Sequence, residues 1–321
     1  MRTKLNISIF TSILATASLI LGSCTSQKTE PVTLKFAALS ILDSLPMYVA
    51  EQQGYFAAHG VKVEMIPVSS APERDQLVAA GQADGEINEV LSTILFDQEK
   101  TQIQVVRFAR AAAPNSPLFR ILSSPSSGIT TVEGLKGAQI GISDATVIDY
   151  LTDRLLAAEG FSANEIQTIS VPKIPDRLAL LNSGQLKAGV LPDPMASLAM
   201  KQGAVNVLDD TRHPEYSCST IAFRKEVIDK HPEAVRGFLA AIEEAVTEIN
   251  KDPNRWKTLL GEKKIIPAPI MDSFQVPTFV TAGVPSESQY ADVLAWAREN
   301  GLVKKEVPYS VTVTASYLPK K

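Results

Sequence analysis

Histidine and cysteine are scarce in this chain, which has 3 histidines and 2 cysteines among 321 residues. His59, His213 and His231 stand far apart, and the cysteines do not form a pair with the spacing of a zinc or iron site. The phosphate-binding and nucleophile motifs G-x-G-x-x-G, G-x-x-x-x-G-K-[ST] and G-x-S-x-G are absent as well. The sequence therefore predicts a protein that is not an enzyme, holds no metal and uses no cofactor.

Positive charge and long apolar runs are also limited. Lysine and arginine total 31, against 35 aspartate and glutamate residues, which gives a formal net charge of −4. Because binding to nucleic acid needs a basic surface, this balance argues against a nucleic-acid partner. Beyond the amino terminus no apolar run approaches the ~20 residues that span a bilayer. A hydrophobic content of 45% nevertheless suffices for a large core.

The amino terminus has the parts of a secretory signal in order. Arg2 and Lys4 precede an uncharged apolar stretch at residues 7–21, which at about 15 residues is too short to cross a bilayer. Removal of this segment, with its two positive charges, takes the net charge of the remaining chain from −4 to −6. The pattern predicts export of an acidic protein from the cytoplasm.

A short motif, LGSC, ends this segment at Cys24. It resembles the bacterial lipobox, in which an aliphatic residue and two small residues precede a cysteine that is alkylated with diacylglycerol. The resemblance implies a signal peptide at residues 1–23, lipidation of Cys24, a flexible tether at residues 24–31 and anchorage outside the cytoplasm on the cell membrane. The alternative is an ordinary signal anchor with an incidental cysteine.

Short apolar strands alternate with helical patterns along the rest of the chain. The first set has strands at 34–39, at 61–68 and from 85 onward, with helices at 45–59 and 73–80. The second set has strands at 138–142, 166–171 and 188–191, with helices at 146–159 and 176–183. A glycine follows each helix, as is common at helix ends. This alternation predicts an α/β fold with mostly parallel sheets flanked by helices.

The second set repeats the first at a constant offset of 103 residues. The matching pairs are Pro72-Glu73-Arg74 with Pro175-Asp176-Arg177, Leu77 with Leu180, Gly81-Gln82 with Gly184-Gln185, and Ser40 with Ser143. A repeat of this kind predicts two similar α/β lobes. Because ligands bind outside the carboxyl ends of strands in open α/β sheets, the strand-end loops of both lobes should face a shared cleft.

Several segments together resemble the extracytoplasmic solute-binding proteins of ABC importers. They are LPMYVAEQQGYF at 45–56 with GVKV at 60–63, LVAAGQAD at 77–84, LKGAQIG at 135–141, LLNSGQLKAGV at 180–190 and HPEAV at 231–235. The nearest branch takes up nitrate, sulfonates, taurine and thiamine-related pyrimidines. The likeness extends from about residue 32 to at least residue 297.

The resemblance implies a type II periplasmic-binding fold whose chain crosses twice between lobes. One lobe would comprise residues 32–116 and 217–321, and the other residues 117–216. The protein would be a monomer that captures a small-molecule solute by lobe closure and delivers it to the permease and ATPase subunits of an importer. Two alternatives stay open, a receptor that reports solute to a membrane sensor and an extracytoplasmic enzyme like the thiamine-pyrimidine synthase of the family.

The repeat and the resemblance indicate which loops would contact the solute. The candidate residues are Ser40, Leu42, Asp43 and Pro46 after the first strand, Glu86, Asn88 and Glu89 near the third, Arg110 and Asn115 at the first crossing, Ser143, Asp144, Ala145 and Thr146 in the second lobe, and Asp193 and Pro194 after its last strand. Several of these side chains could instead cap the helices that follow.

The charge of these loops predicts the kind of solute. They carry five carboxyl groups, and the base expected nearest to them is Arg110 at the first crossing. Carboxylates repel an oxyanion, so a neutral or cationic solute with an amine or another hydrogen-bond donor, such as an aminopyrimidine, is favoured over nitrate, taurine or another sulfonate. The aromatic residues that could stack on it are Tyr48, Tyr55, Phe56, Phe96 and Tyr150.

Overall fold

The computed structural model describes residues 30–320, in which strands and helices alternate. The strands are β1 (Val32–Leu39), β2 (Val61–Val68), β3 (Gly85–Asn88), β4 (Ile103–Ala111), β5 (Phe119–Ser123), β6 (Gln139–Ile142), β7 (Gln167–Ser170), β8 (Ala188–Pro192), β9 (Val205–Asp209) and β10 (Cys218–Arg224). The predicted signal peptide and Cys24, with most of the predicted tether, lie outside the described residues.

The helices cover both faces of the strands. They are α1 (Leu45–Gln52), α2 (Tyr55–Ala58), α3 (Ala71–Ala79), α4 (Val90–Phe96), α5 (Val147–Ala158), α6 (Ile174–Asn182), α7 (Met195–Lys201), α8 (Lys225–Lys230), α9 (Pro232–Lys251), α10 (Lys257–Glu262), α11 (Glu287–Glu299) and α12 (Tyr309–Thr312). Within residues 30–320, none of the helices is both long enough and apolar enough to span a membrane.

Two five-stranded sheets form the framework of the molecule, and both belong to one compact unit that begins at Pro31. The first sheet has the order β2-β1-β3-β10-β4 and the second the order β7-β6-β8-β5-β9. In each sheet the first three strands pair in parallel, and the fourth runs antiparallel to both of its neighbours. The predicted α/β fold with mostly parallel sheets is confirmed.

The sheets repeat each other strand for strand. Helix α3 and helix α6 begin 103 residues apart, as do strands β3 and β8. The offset is not constant, however. Ala37 pairs with Glu86 and Gly141 pairs with Gly189, which sets β1 and β6 apart by 104 residues. Ser40 therefore corresponds to Asp144, and the predicted match of Ser40 with Ser143 is wrong by one residue.

The chain crosses between the sheets twice. It passes from β4 to β5 through residues 112–118 and returns from β9 to β10 through residues 210–217. Because β10 inserts between β3 and β4, the return segment completes the first sheet from a distant part of the sequence. The lobe boundaries at residues 116 and 216 remain a prediction.

One predicted helix is interrupted. The helix expected at residues 45–59 is divided into α1 and α2, because Gly54 adopts a left-handed φ of 74° that an α-helix cannot contain. The break turns α2 so that Phe56 stacks on Phe238 of α9, with ring centroids 5.2 Å apart. Phe238 also stacks on Phe36 of β1, so α9 closes the core on one face of the first sheet.

Candidate functional site

A cleft lies where the loops at the carboxyl ends of the parallel strands of the two sheets meet. Its empty space amounts to about 610 Å³, part of which is open solvent. The walls are mainly apolar: Leu39, Ile41, Ala71, Ile87, Leu118, Phe119, Val147, Ile148, Pro172, Ile174 and Pro192. The polar groups are Asp43, Arg74, Asn88, Glu89, Ser143, Thr146, Arg177 and Ser219.

Loops of the two sheets touch each other beside this cleft. The backbone N–H of Ile174 donates to the carbonyl oxygen of Ser69 at 3.3 Å. Leu39 and Val68 of the first sheet share an apolar cluster with Ile174 and with Leu191 of the second. The cleft is therefore narrow, and its solute would be enclosed by both halves of the molecule.

Arg74 on α3 occupies the centre of a buried acidic group. Its Nε donates to Asp75 Oδ1 at 2.8 Å and lies 3.2 Å from Glu86 Oε2, and its Nη1 donates to the carbonyl oxygen of Ile87 at 3.1 Å. Glu89 Oε1 lies 3.8 Å from Nη2. Burial opposes the charge of Arg74, but the three neighbouring carboxyls raise its pKa above the ordinary value. One guanidinium thus faces three carboxyl groups.

Burial, together with the surplus of carboxyl groups around Arg74, raises the pKa values of the buried glutamates. Burial raises the pKa of Glu86, and Arg74 offsets only part of that effect. Burial also raises the pKa of Glu89, to about 7, against the opposing effects of Arg74 and of the backbone N–H groups of Ser92 and Val147. Glu89 is the N-cap of α4, where it accepts from Ser92 N at 3.3 Å. Its carboxyl can therefore accept or hold a proton near neutral pH.

Asp43 belongs to a second buried ion pair. Its Oδ2 lies 3.6 Å from Arg110 Nη1, and its Oδ1 accepts a hydrogen bond from Ser219 Oγ. Ser219 Oγ in turn accepts from the backbone N–H of Arg110 at 3.1 Å. These contacts join the loop after β1 to β4 and β10, so Asp43 does not serve as a helix cap.

Arg177 on α6 corresponds to Arg74 in the repeat. Its Nε donates to the carbonyl oxygen of Val190 at 2.7 Å and its Nη1 to that of Val171 at 2.5 Å. Burial lowers its pKa to about 10. Within residues 30–320 no carboxylate lies within 4.0 Å of this guanidinium, and Nη2 has no hydrogen-bond partner.

Several buried polar atoms around the cleft have no internal partner. Among the described residues these include Asn88 Oδ1, Glu89 Oε1, Ser143 Oγ and Arg177 Nη2. A buried polar group without a hydrogen bond costs roughly 1–3 kcal/mol, and such groups are rare in folded proteins. Their convergence on one cavity indicates that the cavity receives a polar ligand.

A second, shallower depression adjoins the chain crossings and has about 950 Å³ of empty space, including open solvent. Leu42, Arg110, Asn115 and Asp193 line it, together with Arg120. Arg120 forms an ion pair with Asp193, whose other carboxyl oxygen accepts from the N–H of Ser197 on α7. This depression is more polar and more open than the cleft.

Nine of the fifteen predicted contact residues line either the cleft or the second depression. Asp43, Asn88, Glu89, Ser143 and Thr146 line the cleft, and Leu42, Arg110, Asn115 and Asp193 line the second depression. The other six lie in neither lining. Of these, Ser40 and Asp144 are exposed, Pro46 is buried in the first turn of α1, Glu86 pairs with Arg74, Ala145 has a positive φ of 52°, and Pro194 is the N-cap of α7.

Sequence reasoning included Arg110 but missed the other basic residues of the two linings, Arg74, Arg120 and Arg177. Arg110 is not the nearest base to every acidic loop, because Arg74 contacts Glu86 and Glu89, and Arg120 contacts Asp193. The loops are therefore partly neutralised. The match of Arg74 with Arg177 in the repeat was the signal that could have placed both in the cleft.

The predicted stacking residues are also absent from the lining of the cleft, where Phe119 is the aromatic side chain. Tyr150 packs edge-to-face on Trp296 and donates to Asp292 Oδ2 at 2.7 Å. Phe56 packs on Phe238, as described above. These aromatic residues stabilise the core because α5 and α2 turn them toward neighbouring helices.

Comparison with known proteins identifies the family of this chain. Residues 42–256 match the family described as NMT1/THI5 like. The chain belongs to the NMT1/THI5-like family. The resemblance inferred from the sequence is thereby confirmed.

Proteins with different functions are similar to this chain in sequence. An aliphatic sulfonates-binding protein of Escherichia coli K12 is 30% identical over 195 residues, which cover 58% of this chain and 60% of that protein. A 4-amino-5-hydroxymethyl-2-methylpyrimidine phosphate synthase of Schizosaccharomyces pombe is 23% identical over 224 residues, or 65% of this chain and 62% of that enzyme. The chain thus spans about three fifths of the length of these two relatives.

The fold has counterparts among solved structures. The ligand-binding component of an ABC-type import system from Staphylococcus aureus superposes with a TM-score of 0.74 and is 14% identical in sequence. The superposition covers 89% of this chain and 97% of that protein. At this level of identity the likeness shows the two-sheet fold alone.

Proposed function

We propose that this protein is the extracytoplasmic solute-binding component of an ABC importer. It captures a small organic solute in the cleft between its two sheets and delivers that solute to a membrane permease. The observation that carries the proposal is that one cavity is lined by Asn88, Glu89, Ser143 and Arg177. Each of them has a buried polar atom without a hydrogen-bond partner among the described residues. The sulfonates-binding relative supports the same role, and the import-system structure supports the fold on which it depends.

The solute is proposed to be neutral or amine-bearing, with pyrimidine-like compounds favoured. Three carboxyls share Arg74, so the Glu89 side of the cleft offers more acceptors than donors. Asn88 Oδ1 is one further acceptor. A solute with N–H donors along one edge satisfies these atoms, while Phe119 and Ile148 provide an apolar surface for its carbon skeleton.

Capture needs no covalent chemistry. A solute that contacts loops of both sheets stabilises the closed arrangement by its differential affinity for that form. Ser143 and Thr146 come from the second sheet, while Asn88 and Glu89 come from the first, so one solute can contact both. The permease would recognise the closed form.

Three alternatives have some support. Arg177 favours an anionic solute, such as the sulfonates bound by the Escherichia coli relative. A sensing receptor would use the same cleft. The synthase relative makes an enzyme the third alternative. However, His59 contacts Glu244, His213 contacts Glu159, and neither histidine lines the cleft.

A thermal-shift screen tests the proposal. Purified protein is heated with pyrimidines, thiamine, riboflavin, amino acids, sulfonates and nitrate, and each hit is titrated by calorimetry. A solute at 100 times its Kd stabilises the folded state by about 2.7 kcal/mol. We expect an amine-bearing or pyrimidine hit. Tight binding of nitrate, taurine or an alkylsulfonate instead would overturn the proposed class of solute, and a metal-dependent turnover would overturn the binding role.

A further inference from the structure

Arg74 and Arg177 are equivalent in structure as well as in sequence. Each lies near the start of its helix, and each reaches the third strand of its own sheet. Arg74 donates to the carbonyl oxygen of Ile87, and Arg177 donates to that of Val190, which is the corresponding residue at the offset of 103. Both side chains then line the same cleft, one from each sheet.

The surroundings of the two arginines differ in one respect. The three acidic neighbours of Arg74 are Asp75, Glu86 and Glu89, and the residues at their equivalent positions in the second half are Leu178, Gly189 and Pro192. The first half supplies carboxyl groups, and the second half has none at the same places.

Glycine at 189 leaves the space that Glu86 fills in the first half. A Cβ built on Gly189 would lie 3.6 Å from Arg177 Cγ, and one on Gly141 would lie 3.4 Å from the same atom. The side chain of Arg177 therefore passes over two glycines before its guanidinium reaches the cleft. Within the described part of the chain, its hydrogen bonds go to the carbonyl oxygens of Val171, Pro172 and Val190.

A buried guanidinium with only neutral partners is costly, and buried charges in proteins are normally paired. Since Nε and Nη1 of Arg177 already donate to carbonyl oxygens, Nη2 is the nitrogen that remains, with two N–H bonds. Nη2 can donate a charge-assisted hydrogen bond to one oxygen of a carboxylate, and a planar carboxylate needs less room in the narrow cleft than a tetrahedral sulfonate does.

We propose that Arg177 is the specificity-determining residue of the cleft and that it binds a carboxylate of the solute through Nη2. This inference rests on the proposed function and narrows it. The solute presents an amine or another hydrogen-bond donor to Glu89 and Asn88, and it presents a carboxylate to Arg177. Such a solute is amphoteric and has little net charge. The second half of the repeat has the arginine without the neighbouring carboxyls, and the solute supplies a carboxyl in their place.

Substitution at Gly189 tests this without removing Arg177, whose loss could impair folding. Gly189→Glu places a carboxyl where Glu86 stands beside Arg74, and Gly189→Ala is the matched control, since a Cβ at this position meets only ordinary contacts. Side-chain NMR of the arginines is recorded during titration with sodium formate and, separately, sodium methanesulfonate at equal ionic strength. Arg177→Lys identifies the Arg177 signal by its absence.

We expect formate to shift the Arg177 signal saturably in the native protein and in Gly189→Ala. Gly189→Glu should weaken that binding at least about tenfold, because its own carboxyl occupies the guanidinium. Methanesulfonate should bind more weakly than formate. Thermal unfolding of the Gly189 variants shows that both are folded.

The inference is overturned if formate leaves the Arg177 signal unchanged, if Gly189→Glu binds formate like the native protein, or if methanesulfonate binds as well as formate. The solute screen separates this outcome from failure of the proposed function. A solute hit whose affinity Gly189→Glu leaves unchanged would retain solute capture and exclude the role of Arg177.

Discussion

The carboxyl of Asp210 accepts a hydrogen bond from Ser217 Oγ, at the point where the chain returns to the first sheet. The same carboxyl accepts from the backbone N–H groups of Leu118 and Phe119, each at 3.1 Å, where the other crossing enters the second sheet. Asp210 is fully buried. One side chain therefore joins the two segments about which a closing motion of the sheets would turn.

We expect Asp210→Ala to lower the free energy of unfolding by about 1–3 kcal/mol, because it leaves buried backbone donors without an acceptor. Urea unfolding followed by circular dichroism measures the change. Asp272→Asn, at an exposed position, is the control and should alter stability little. Equal stability of the two variants would show that Asp210 does not hold the crossings together.

Ser143 and Thr146 allow binding and stability to be separated. Ser143 Oγ has no partner in the described residues, so Ser143→Ala should leave stability nearly unchanged and weaken solute binding about 5- to 10-fold. Thr146 Oγ1 caps α5, accepting from Ile148 N at 3.2 Å, so Thr146→Val should cost about 1 kcal/mol of stability. Calorimetric titration and urea unfolding of both variants check this contrast, which a destabilised Ser143→Ala would contradict.

The pKa of Glu89 gives stability a dependence on pH. Burial raises that pKa from its ordinary 4.5 to about 7, so the folded protein keeps a proton that the unfolded chain releases between these values. The free energy of unfolding should therefore fall as pH rises from about 4.5 to 7, by at most about 3–4 kcal/mol for this group. Glu89→Gln should make the fall shallower. An unchanged slope in that variant would refute the assignment.

Cys24 lies outside the described residues, and its predicted lipidation is open to a direct test. Cys24→Ser should move the protein from the membrane fraction to the soluble extracytoplasmic fraction and abolish labelling with radioactive palmitate, because the acyl chains supply the anchor. The Cys218→Ser variant is the control. Cys218 is buried, and burial raises its pKa to about 12, so its replacement should leave labelling intact. Retained membrane association of Cys24→Ser would favour an uncleaved signal anchor.

Much of the fold could be predicted because local signals specify it. Apolar strands and the glycines after helices gave the element order, and β2 was predicted with the bounds that it has, Val61–Val68. The break at Gly54 was missed because a glycine within a helical pattern does not reveal its φ. The insertion of β10 between β3 and β4 was not predictable from local pattern, since it joins segments more than a hundred residues apart.

The sequence predicted which loops form the candidate site, but it did not predict how their charged side chains are paired. The positions of Asn88, Glu89 and Ser143 follow from strand ends. Arg120 pairs with Asp193, which is 73 residues further along the chain, and such a pair leaves no trace in local sequence. A count of acids along the loops thus overstated their negative charge, because it left out the arginines that pair with them in three dimensions.

The measurement that tests the central claim most directly is a crystal structure of the protein with the strongest solute from the thermal-shift screen. Our account predicts the solute between the two sheets, with hydrogen bonds to Asn88 or Glu89 of the first sheet and to Ser143 of the second. A solute bound outside this cleft, or one that contacts only one sheet, would contradict it.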